Sequence, residues 1–227
     1  MNAAQLENNK MTLSVDTISD VQAYGLDVKN RELYLHGYIG NTDEDPGVEY
    51  RMASQFYKNI RILDNVSKDP IIVHMFSVGG EWDAGMAIFD AISLCQSYVT
   101  IVAYGQASSM SSIILQAADT RVMTPNAHFM SHYGSVDCGG DHLSAHNYAK
   151  VDKRNTEIMI DIYTDGCVKG KYFKDHYTDL TEEKVRNYLK RKLKDGDWYL
   201  DANEAVYYGF ADVVLETRKY PHIDSLK

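Results

Sequence analysis

The stretch from Ala103 to Gly134, AYGQASSMSSIILQAADTRVMTPNAHFMSHYG, constrains the fold more than any other part of the sequence. Its apolar runs are short and are separated by glycine, proline and polar residues. This pattern predicts a strand, a glycine turn, a helix and then two further short strands. Ser109 opens the predicted helix, and His132 ends the last predicted strand. The rest of the chain can be interpreted as the walls and partner groups of this pair.

Two buried strands and a helix precede or overlap this stretch. Pro70–Ser77 and Val99–Tyr104 are short and nearly continuous in apolar residues, as expected of strands buried on both faces. Between them lie the glycine pair Gly79-Gly80 and an amphipathic pattern over Glu81–Gln96 that predicts a helix. This alternation predicts an α/β fold with parallel crossover connections.

The flanking regions add further elements to this unit. Arg31–Tyr38 predicts a strand, and Val48–Asn65 predicts an amphipathic helix. Asp141–Tyr163 predicts a long helix that is too polar for the core, so we expect it to project and to pack on another subunit. Thr164–Asp179 has the mixed character of a loop with aromatic residues, and Phe210–Leu215 predicts a final strand.

The ends of the chain carry few core signals. We divide the sequence into an N-terminal arm over residues 1–28, one domain over residues 29–216 and a C-terminal tail over residues 217–227. The arm is expected to be mobile or to contact a partner, and a simple frayed end explains its composition equally well. Within the domain, Thr181 is the expected N-cap of a helix that runs to about Leu193.

Charge and cysteine content exclude several classes of protein. The 32 acidic residues outnumber the 23 Lys and Arg residues, and the net charge of −9 argues against binding to nucleic acid. Cys95, Cys138 and Cys167 lack metal-ligand spacing and predict reduced thiols in a cytosol-like compartment. No apolar run approaches the ~18 residues of a membrane span, and the N-terminus lacks the apolar core of a signal peptide. We therefore expect a cytoplasmic protein that does not contact membranes.

Ser109 has two interpretations that its position alone does not separate. A serine at a helix N-terminus is most often a cap. A hydroxyl at the same place also lies near unpaired backbone N–H groups, which can stabilise an oxyanion. Ser108, Ser111 and Ser112 compete with Ser109 for either role.

Each possible partner of this serine also has rivals. His128 lies four residues before His132, more than ten ångströms away at roughly 3.3 Å per residue, so both cannot serve one serine. His74, inside a buried strand, is interpreted as a hydrogen-bonded core residue. Asp197 competes with Asp195 and Asp201, and each of them is typical of a turn.

Four segments in order resemble the proteolytic subunit of the Clp protease, ClpP. They are Phe76–Asp90 with its glycine pair, Gly105–Met110 (GQASSM), Pro125-Asn126 followed by Met130–His132, and Asp197–Asp212 (DWYLDANEAVYYGFAD). The resemblance extends from about Arg31 to Leu215. It implies a crotonase-like α/β fold of repeated β-β-α units with a projecting handle helix, here at about residues 135–165.

The resemblance also implies a serine endopeptidase and assigns its residues. Ser109 corresponds to the nucleophile, His132 to the base and Asp197 to the residue that orients the base. Gly80 and Met110 correspond to the backbone donors of the oxyanion hole. The peptidase itself needs no cofactor and no metal.

The family's assembly leads to further expectations. Its members form heptameric rings stacked in pairs through the handle, and hexameric AAA+ unfoldases of the ClpX or ClpA type feed unfolded proteins into the chamber with ATP. Two alternatives remain for this chain. One is a ClpP-like capsid-maturation or signal-peptide peptidase that acts without an unfoldase, and the other is an inactive structural ring subunit.

Four departures from the family pattern could alter substrate binding or assembly. Val78 stands where proline is usual, and Tyr133-Gly134 replaces the usual Gln-Pro after the histidine. The span from histidine to aspartate is longer than usual, through extra residues around Lys169–Asp179. The N-terminal arm does not clearly match the family's pore loops.

Overall fold

The chain folds as a mixed α/β structure, described from a computed structural model over residues 15–36, 47–135, 140–215 and 223–226. The α-helices are α1 Val15–Tyr24, α2 Tyr50–Val66, α3 Trp82–Ser93, α4 Met110–Leu115, α5 His142–Cys167, α6 Lys171–His176, α7 Glu182–Leu193 and α8 Ala202–Tyr208. The strands are β1 Leu26–Asp27, β2 Glu32–His36, β3 Ile71–Ser77, β4 Val99–Ser108, β5 Thr120–Met123, β6 His128–Ser131, β7 Trp198–Asp201 and β8 Val213–Val214. A short 3₁₀ turn covers Ile223–Leu226.

The eight strands of this part of the chain form one sheet that divides along β4. The main path runs β1-β2-β3-β4-β5-β8, while β6 pairs with the second half of β4 and β7 pairs with β6. Ser108, the last residue of β4, lies opposite Met130 in a parallel register. In the antiparallel pair β6–β7, Ser131 lies opposite Trp198. The residues that follow β4 and β6 and precede β7 therefore leave the sheet at one edge.

The main core lies between the sheet and the helices that follow its strands. The central strands β3 and β4 are buried over most of their length, as their continuous apolar runs predicted. Each fully buried aliphatic side chain contributes roughly 1.5–3 kcal/mol. The largest of the fully buried side chains are Tyr163, Phe129, Phe173, Phe210, Leu33, Leu35, Ile60, Leu63, Ile71, Ile72, Met75 and Ile88.

A smaller apolar cluster covers the opposite face of the sheet. Ile72, Val102 and Val122 come from three neighbouring strands and are almost fully buried. Ile223 and Leu226 of the C-terminal 3₁₀ turn pack against them. The sheet is thus covered on both faces at its centre, as expected of parallel strands.

Several predicted elements have different bounds in the structure. β4 continues four residues past the predicted end at Tyr104, because its second half gains a partner in β6. The prediction of a loop over Thr164–Asp179 is wrong, since α5 extends to Cys167 and α6 follows it. Phe173 of α6 is fully buried among aromatic side chains, and this tertiary packing has no periodic signal in so short a segment. The predicted strand Phe210–Leu215 shortens to β8.

The predicted arm has structure over its second half. Residues 15–27 form α1 and β1, and Leu26 of β1 pairs with Leu33 of β2. The Asn59 side chain donates a hydrogen bond of 2.6 Å to the carbonyl of Tyr24. Residues 1–14 lie outside the described part of the chain. Residues 15–27 thus contact the domain, and the division into an arm over residues 1–28 and a domain over residues 29–216 stays a prediction.

One buried carboxylate links α2 to the turn before β4. The Oδ1 atom of Asp64 accepts hydrogen bonds from the N–H groups of Gln96 and Ser97 and from the Ser97 hydroxyl, at 2.9–3.1 Å. Lys68 Nζ lies 3.1 Å from the same oxygen. Burial by itself raises the pKa of Asp64, but the hydrogen bonds from Lys68 and Ser97 outweigh burial and hold that pKa well below its ordinary value.

Replacing Asp64 by asparagine is expected to lower the free energy of unfolding at pH 7 by about 1–3 kcal/mol, because charged hydrogen bonds to a buried group are lost. The pKa of Asp64 is lower in the folded state than in the unfolded state. The carboxylate therefore makes its full contribution to the free energy of unfolding above the unfolded-state pKa of about 4. It is lost as the pH falls toward the folded-state value. Urea denaturation of both proteins between neutral and acidic pH measures this difference.

The matched control is Asp20→Asn, since Asp20 is exposed on α1. This control is expected to change stability by less than about 0.5 kcal/mol. If Asp64→Asn lowers the free energy of unfolding by the same amount at every pH, the assignment of a stabilising ionised carboxylate is contradicted.

Candidate active site

Ser109 stands between β4 and α4 in a backbone conformation that is rare for a residue with a side chain. Its φ and ψ are 52° and −125°, and its side chain makes no capping hydrogen bond to α4. The Ser109 N–H donates to the carbonyl of Met130 at 2.9 Å, which ties the turn to β6. The hydroxyl is therefore not used as a helix cap, which was the simpler interpretation of its position, and is free to face the cleft.

The structure brings His132 and Asp197 to this serine from two other segments. His132 follows β6 directly, and its Nε2 atom lies 2.8 Å from Ser109 Oγ. Its Nδ1 atom lies 3.3 Å from Oδ1 of Asp197. The β6–β7 register explains this placement, because His132 and Asp197 are the next pair beyond Ser131 and Trp198. The Asp197 side chain is about half exposed.

The glycine pair lies against the same turn. A Cβ atom on Gly79 would lie 2.6 Å from the Ser108 carbonyl oxygen and 2.8 Å from the Met110 nitrogen, so no side chain fits there. Gly80 has a φ of 151°, and a Cβ atom on it would lie 2.5 Å from the Val48 nitrogen. Glycine is required at both positions by this close approach of backbones.

Val48 holds the glycine pair in place through two backbone hydrogen bonds. Its N–H donates to the Gly79 carbonyl at 2.6 Å, and its carbonyl accepts from the Glu81 N–H at 2.8 Å. Among the described residues, the N–H groups of Gly80 and Met110 make no backbone hydrogen bond. Two unused donors therefore remain beside Ser109, which is what an oxyanion hole requires.

The competing serines are engaged in structural hydrogen bonds. Ser111 Oγ donates to Ser77 Oγ at 2.6 Å. Ser112 Oγ lies 2.6 Å from the Tyr163 hydroxyl and also bonds the Ser109 carbonyl. Ser108 Oγ donates to the side chain of Gln106 at 3.2 Å. Their side chains hold α4 and the end of β4 rather than facing His132.

The competing histidines and aspartates also lie elsewhere. His128 begins β6 opposite Gln106, at the far end of the strand from His132. His74 has the hydrogen bonds that we predicted for it, with Nδ1 2.9 Å from the Tyr104 hydroxyl and Nε2 3.2 Å from Glu32. Asp201 caps α8 through the Glu204 N–H, and Asp195 is exposed in the turn before β7.

A cleft of about 460 Å³ opens over Ser109 and His132. α4, α5 and the start of α3 all contribute to its lining. Tyr133, one of the departures from the family pattern, lines the cleft, and its hydroxyl donates to the Lys190 carbonyl of α7 at 3.0 Å. This bond ties the segment after His132 to α7. Burial, and then the nearby Glu157 charge, raise the pKa of Tyr133, so it stays a neutral donor at physiological pH.

The wall that α5 contributes is held by ion pairs to α7. Glu157 of α5 contacts Lys190 at 2.6 Å and also pairs with Arg186. The hydrogen bond from Lys190, followed by that from Arg186, holds the pKa of Glu157 below its ordinary value. These contacts are partly exposed, so each contributes modestly to stability. They fix the position of α5 beside the cleft.

The described residues form neither a metal-binding cluster nor a membrane-spanning helix. No group of three or more histidine, cysteine, aspartate or glutamate residues in this part of the chain could hold a metal ion. None of its helices is both long and apolar enough to cross a bilayer. Cys95 and Cys167 are free thiols, and Cys138 lies outside the described residues.

Sequence reasoning missed several residues of the site. Glu81, Asp83 and Asp152 line the cleft, and Val48 positions the glycine pair. Glu81 and Asp83 could have been suspected, because they follow Gly80 directly in the chain. Asp152 and Val48 carry no local signal, since only the packing of distant segments places them there.

The chain is similar to Clp protease subunits over most of its length. The family model described as Clp protease matches residues 44–218. An ATP-dependent Clp protease proteolytic subunit of Deinococcus radiodurans is 29% identical over 172 residues, covering 74% of this chain and 76% of the relative. The proteolytic subunit 2 of Pseudomonas aeruginosa is 29% identical over 175 residues, covering 76% of this chain and 79% of that protein.

A solved structure supports the fold. The ClpP1 N165D mutant from Listeria monocytogenes superimposes with a TM-score of 0.67 at 24% identity, over 88% of this chain and 96% of that one. This likeness confirms the predicted ClpP-like α/β fold. Together with the match of the family model over most of the sequence, it leads to one conclusion: this chain belongs to the Clp protease family.

Proposed function

We propose that this chain is a serine endopeptidase that cleaves unfolded polypeptides inside an oligomeric chamber. The observation that carries the proposal is the distance of 2.8 Å between His132 Nε2 and Ser109 Oγ, at the base of an open cleft. A nucleophile and a base within hydrogen-bond reach, with a third group at the other ring nitrogen, are the requirements for acyl transfer. The membership of the Clp protease family supports the same reaction.

In the proposed mechanism, each group has one role. Ser109 Oγ attacks the scissile carbonyl while His132 Nε2 takes its proton, and His132 then gives this proton to the leaving amine. Asp197, 3.3 Å from Nδ1, orients the imidazole and stabilises its charged form. The N–H groups of Gly80 and Met110 stabilise the oxyanion of the tetrahedral intermediate. None of these steps uses a cofactor or a metal.

The proposed assembly is a homo-oligomer of stacked rings, as expected for a relative of Clp proteolytic subunits. Members of the family generally form oligomeric rings. For this chain we propose heptameric rings stacked in pairs. The first half of α5 supports a role in contact between subunits, because Leu143 is a large apolar side chain that is exposed in the single chain and does not line the cleft. A separate AAA+ unfoldase of the ClpX or ClpA type would supply unfolded substrate in the cytoplasm, and it alone would consume ATP.

Replacing Ser109 by alanine is expected to abolish labelling by a serine-directed fluorophosphonate and cleavage of a small peptide. The reason is that no other hydroxyl in the described cleft lies within hydrogen-bond reach of His132. Replacing Asp197 by asparagine is expected to lower kcat by up to about 10⁴, because the imidazole loses its orienting carboxylate. Gel fluorescence and peptide-hydrolysis rates measure these effects.

The matched control is Ser108→Ala, one residue before the proposed nucleophile. Because the Ser108 hydroxyl bonds the Gln106 side chain and not His132, this variant is expected to be labelled like the wild type. Labelling of Ser109→Ala at the wild-type level would disprove the nucleophile assignment. A wild-type protein that is neither labelled nor able to cleave peptides would favour the structural ring subunit.

Replacing Gly80 by alanine is expected to lower kcat by about 10²–10³, the cost of losing one oxyanion donor. The added Cβ would press on the Val48 backbone and displace the Gly80 N–H. Peptide hydrolysis, with the melting temperature measured alongside, tests this effect. Gly140→Ala also places alanine at a positive φ, in an exposed position away from the cleft, and is expected to keep the wild-type kcat. Full activity in Gly80→Ala would contradict the assignment of this donor.

Replacing Leu143 by glutamate is expected to yield a particle of smaller mass, because it places a charge on the exposed apolar face of α5 proposed to join the rings. Lys150→Glu, an exposed change on the same helix, reverses a charge without altering an apolar residue. Light scattering of both variants and the wild type measures particle mass. If all three have equal masses, α5 does not hold the rings together through Leu143.

A further inference from the structure

The cleft beside Ser109 is lined by three carboxylates from two helical segments. Glu81 and Asp83 stand at the start of α3, just after Gly80, and Asp152 belongs to α5. No lysine or arginine is among the described residues that line this cleft. Lys153 and Arg154 follow Asp152 on α5 but do not line it.

These three carboxylates are not used for structural purposes in the described part of the chain. Glu81 occupies the N-cap position of α3, yet its side chain makes no capping hydrogen bond. Neither Asp83 nor Asp152 takes part in an ion pair or a side-chain hydrogen bond among these residues. Asp83 lies in the first turn of α3, where it also interacts favourably with the helix dipole. All three charges therefore remain available to a bound peptide.

The remainder of the lining fits a long apolar stem. The apolar and aromatic side chains that share this lining are Trp82, Met110, Tyr148, Val151 and Met159. Lysine and arginine place their methylene chains on such surfaces while their charged ends reach polar groups. Aromatic faces add attraction for the same cations.

We propose that Glu81, Asp83 and Asp152 select peptides with lysine or arginine next to the scissile bond. The proposal rests on the proposed endopeptidase function and specifies its substrate class. Glu81 directly follows Gly80, the proposed oxyanion donor, and both residues line the cleft that contains Ser109. A like-charged glutamate side chain at the same place would be repelled by all three groups.

Two sets of internally quenched peptides test this selection, with mass spectrometry to locate the cut. In one set the residue before the scissile bond is lysine, norleucine or glutamate, and in the other set the residue after it is varied in the same way. Norleucine has nearly the shape of lysine without its charge. In at least one set, kcat/KM for the lysine peptide is expected to exceed kcat/KM for the norleucine peptide by about tenfold. Each exposed ion pair between the lysine and a carboxylate can raise kcat/KM by up to about fivefold. Raising the salt concentration from about 50 mM to about 500 mM is expected to reduce this ratio.

A charge-removal variant tests the residues themselves. In the triple variant Glu81→Gln, Asp83→Asn, Asp152→Asn, the ratio of lysine to norleucine cleavage is expected to fall to about one. The control variant Asp20→Asn, Asp90→Asn, Glu183→Gln removes the same number of exposed carboxylates away from the cleft and is expected to keep the wild-type ratio. An unchanged ratio in the triple variant would overturn the assignment of these residues.

Fluorophosphonate labelling of the wild type separates the two proposals. A labelled wild-type protein that cleaves lysine and norleucine peptides equally well in both sets would overturn the selection but leave the endopeptidase function intact. A wild type that is not labelled and cleaves no peptide would overturn the endopeptidase function, and the selection with it. The salt dependence of the wild-type ratio needs no variant, so the selection can be rejected even if the triple variant does not fold.

Discussion

The backbone of Ser109 is the constraint on which the rest of the site depends. A residue with a side chain at a φ of 52° costs of order 1–3 kcal/mol and persists only where its surroundings impose it. Here the Met130 carbonyl holds the Ser109 N–H, and the side-chain-free backbone of Gly79 packs against the turn. The strain places the hydroxyl in the cleft instead of on the helix end, where a serine at this position would otherwise act as a cap.

The division of the sheet along β4 brings His132 and Asp197 to the strained turn at Ser109. Because the second half of β4 pairs with β6, the residue after β6 lies beside the residue after β4. Because β7 pairs with β6 in an antiparallel register, the residue before β7 lies beside the same histidine. Strand pairing therefore sets the separations between Ser109, His132 and Asp197, and rigid elements hold them better than loops would.

The walls of the cleft come mostly from segments other than the strands that position this constellation. Tyr133 replaces the usual residue after the histidine and is held by α7, while α5 is held by the ion pairs of Glu157. The extra residues around 169–179 form α6, whose Phe173 packs in an aromatic cluster behind the sheet rather than in the cleft. The departures in sequence thus act at two separate places. One of them changes the lining near Ser109, and the other enlarges the core.

The sequence by itself determined the α/β class, the buried strands and the long polar helix, whereas Ser109, His132 and Asp197 were distinguished from their rivals by the resemblance to ClpP. These features depend on local periodicity and on residue types that the chain displays directly. Only the tertiary structure decided that β4 divides between two partners, that Thr164–Asp179 is largely helical and that Val48 holds the glycine pair. It also decided that Asp152 and Glu81 line the same cleft. Each of these depends on contacts between segments distant in the chain, where strand pairing and burial override local preference.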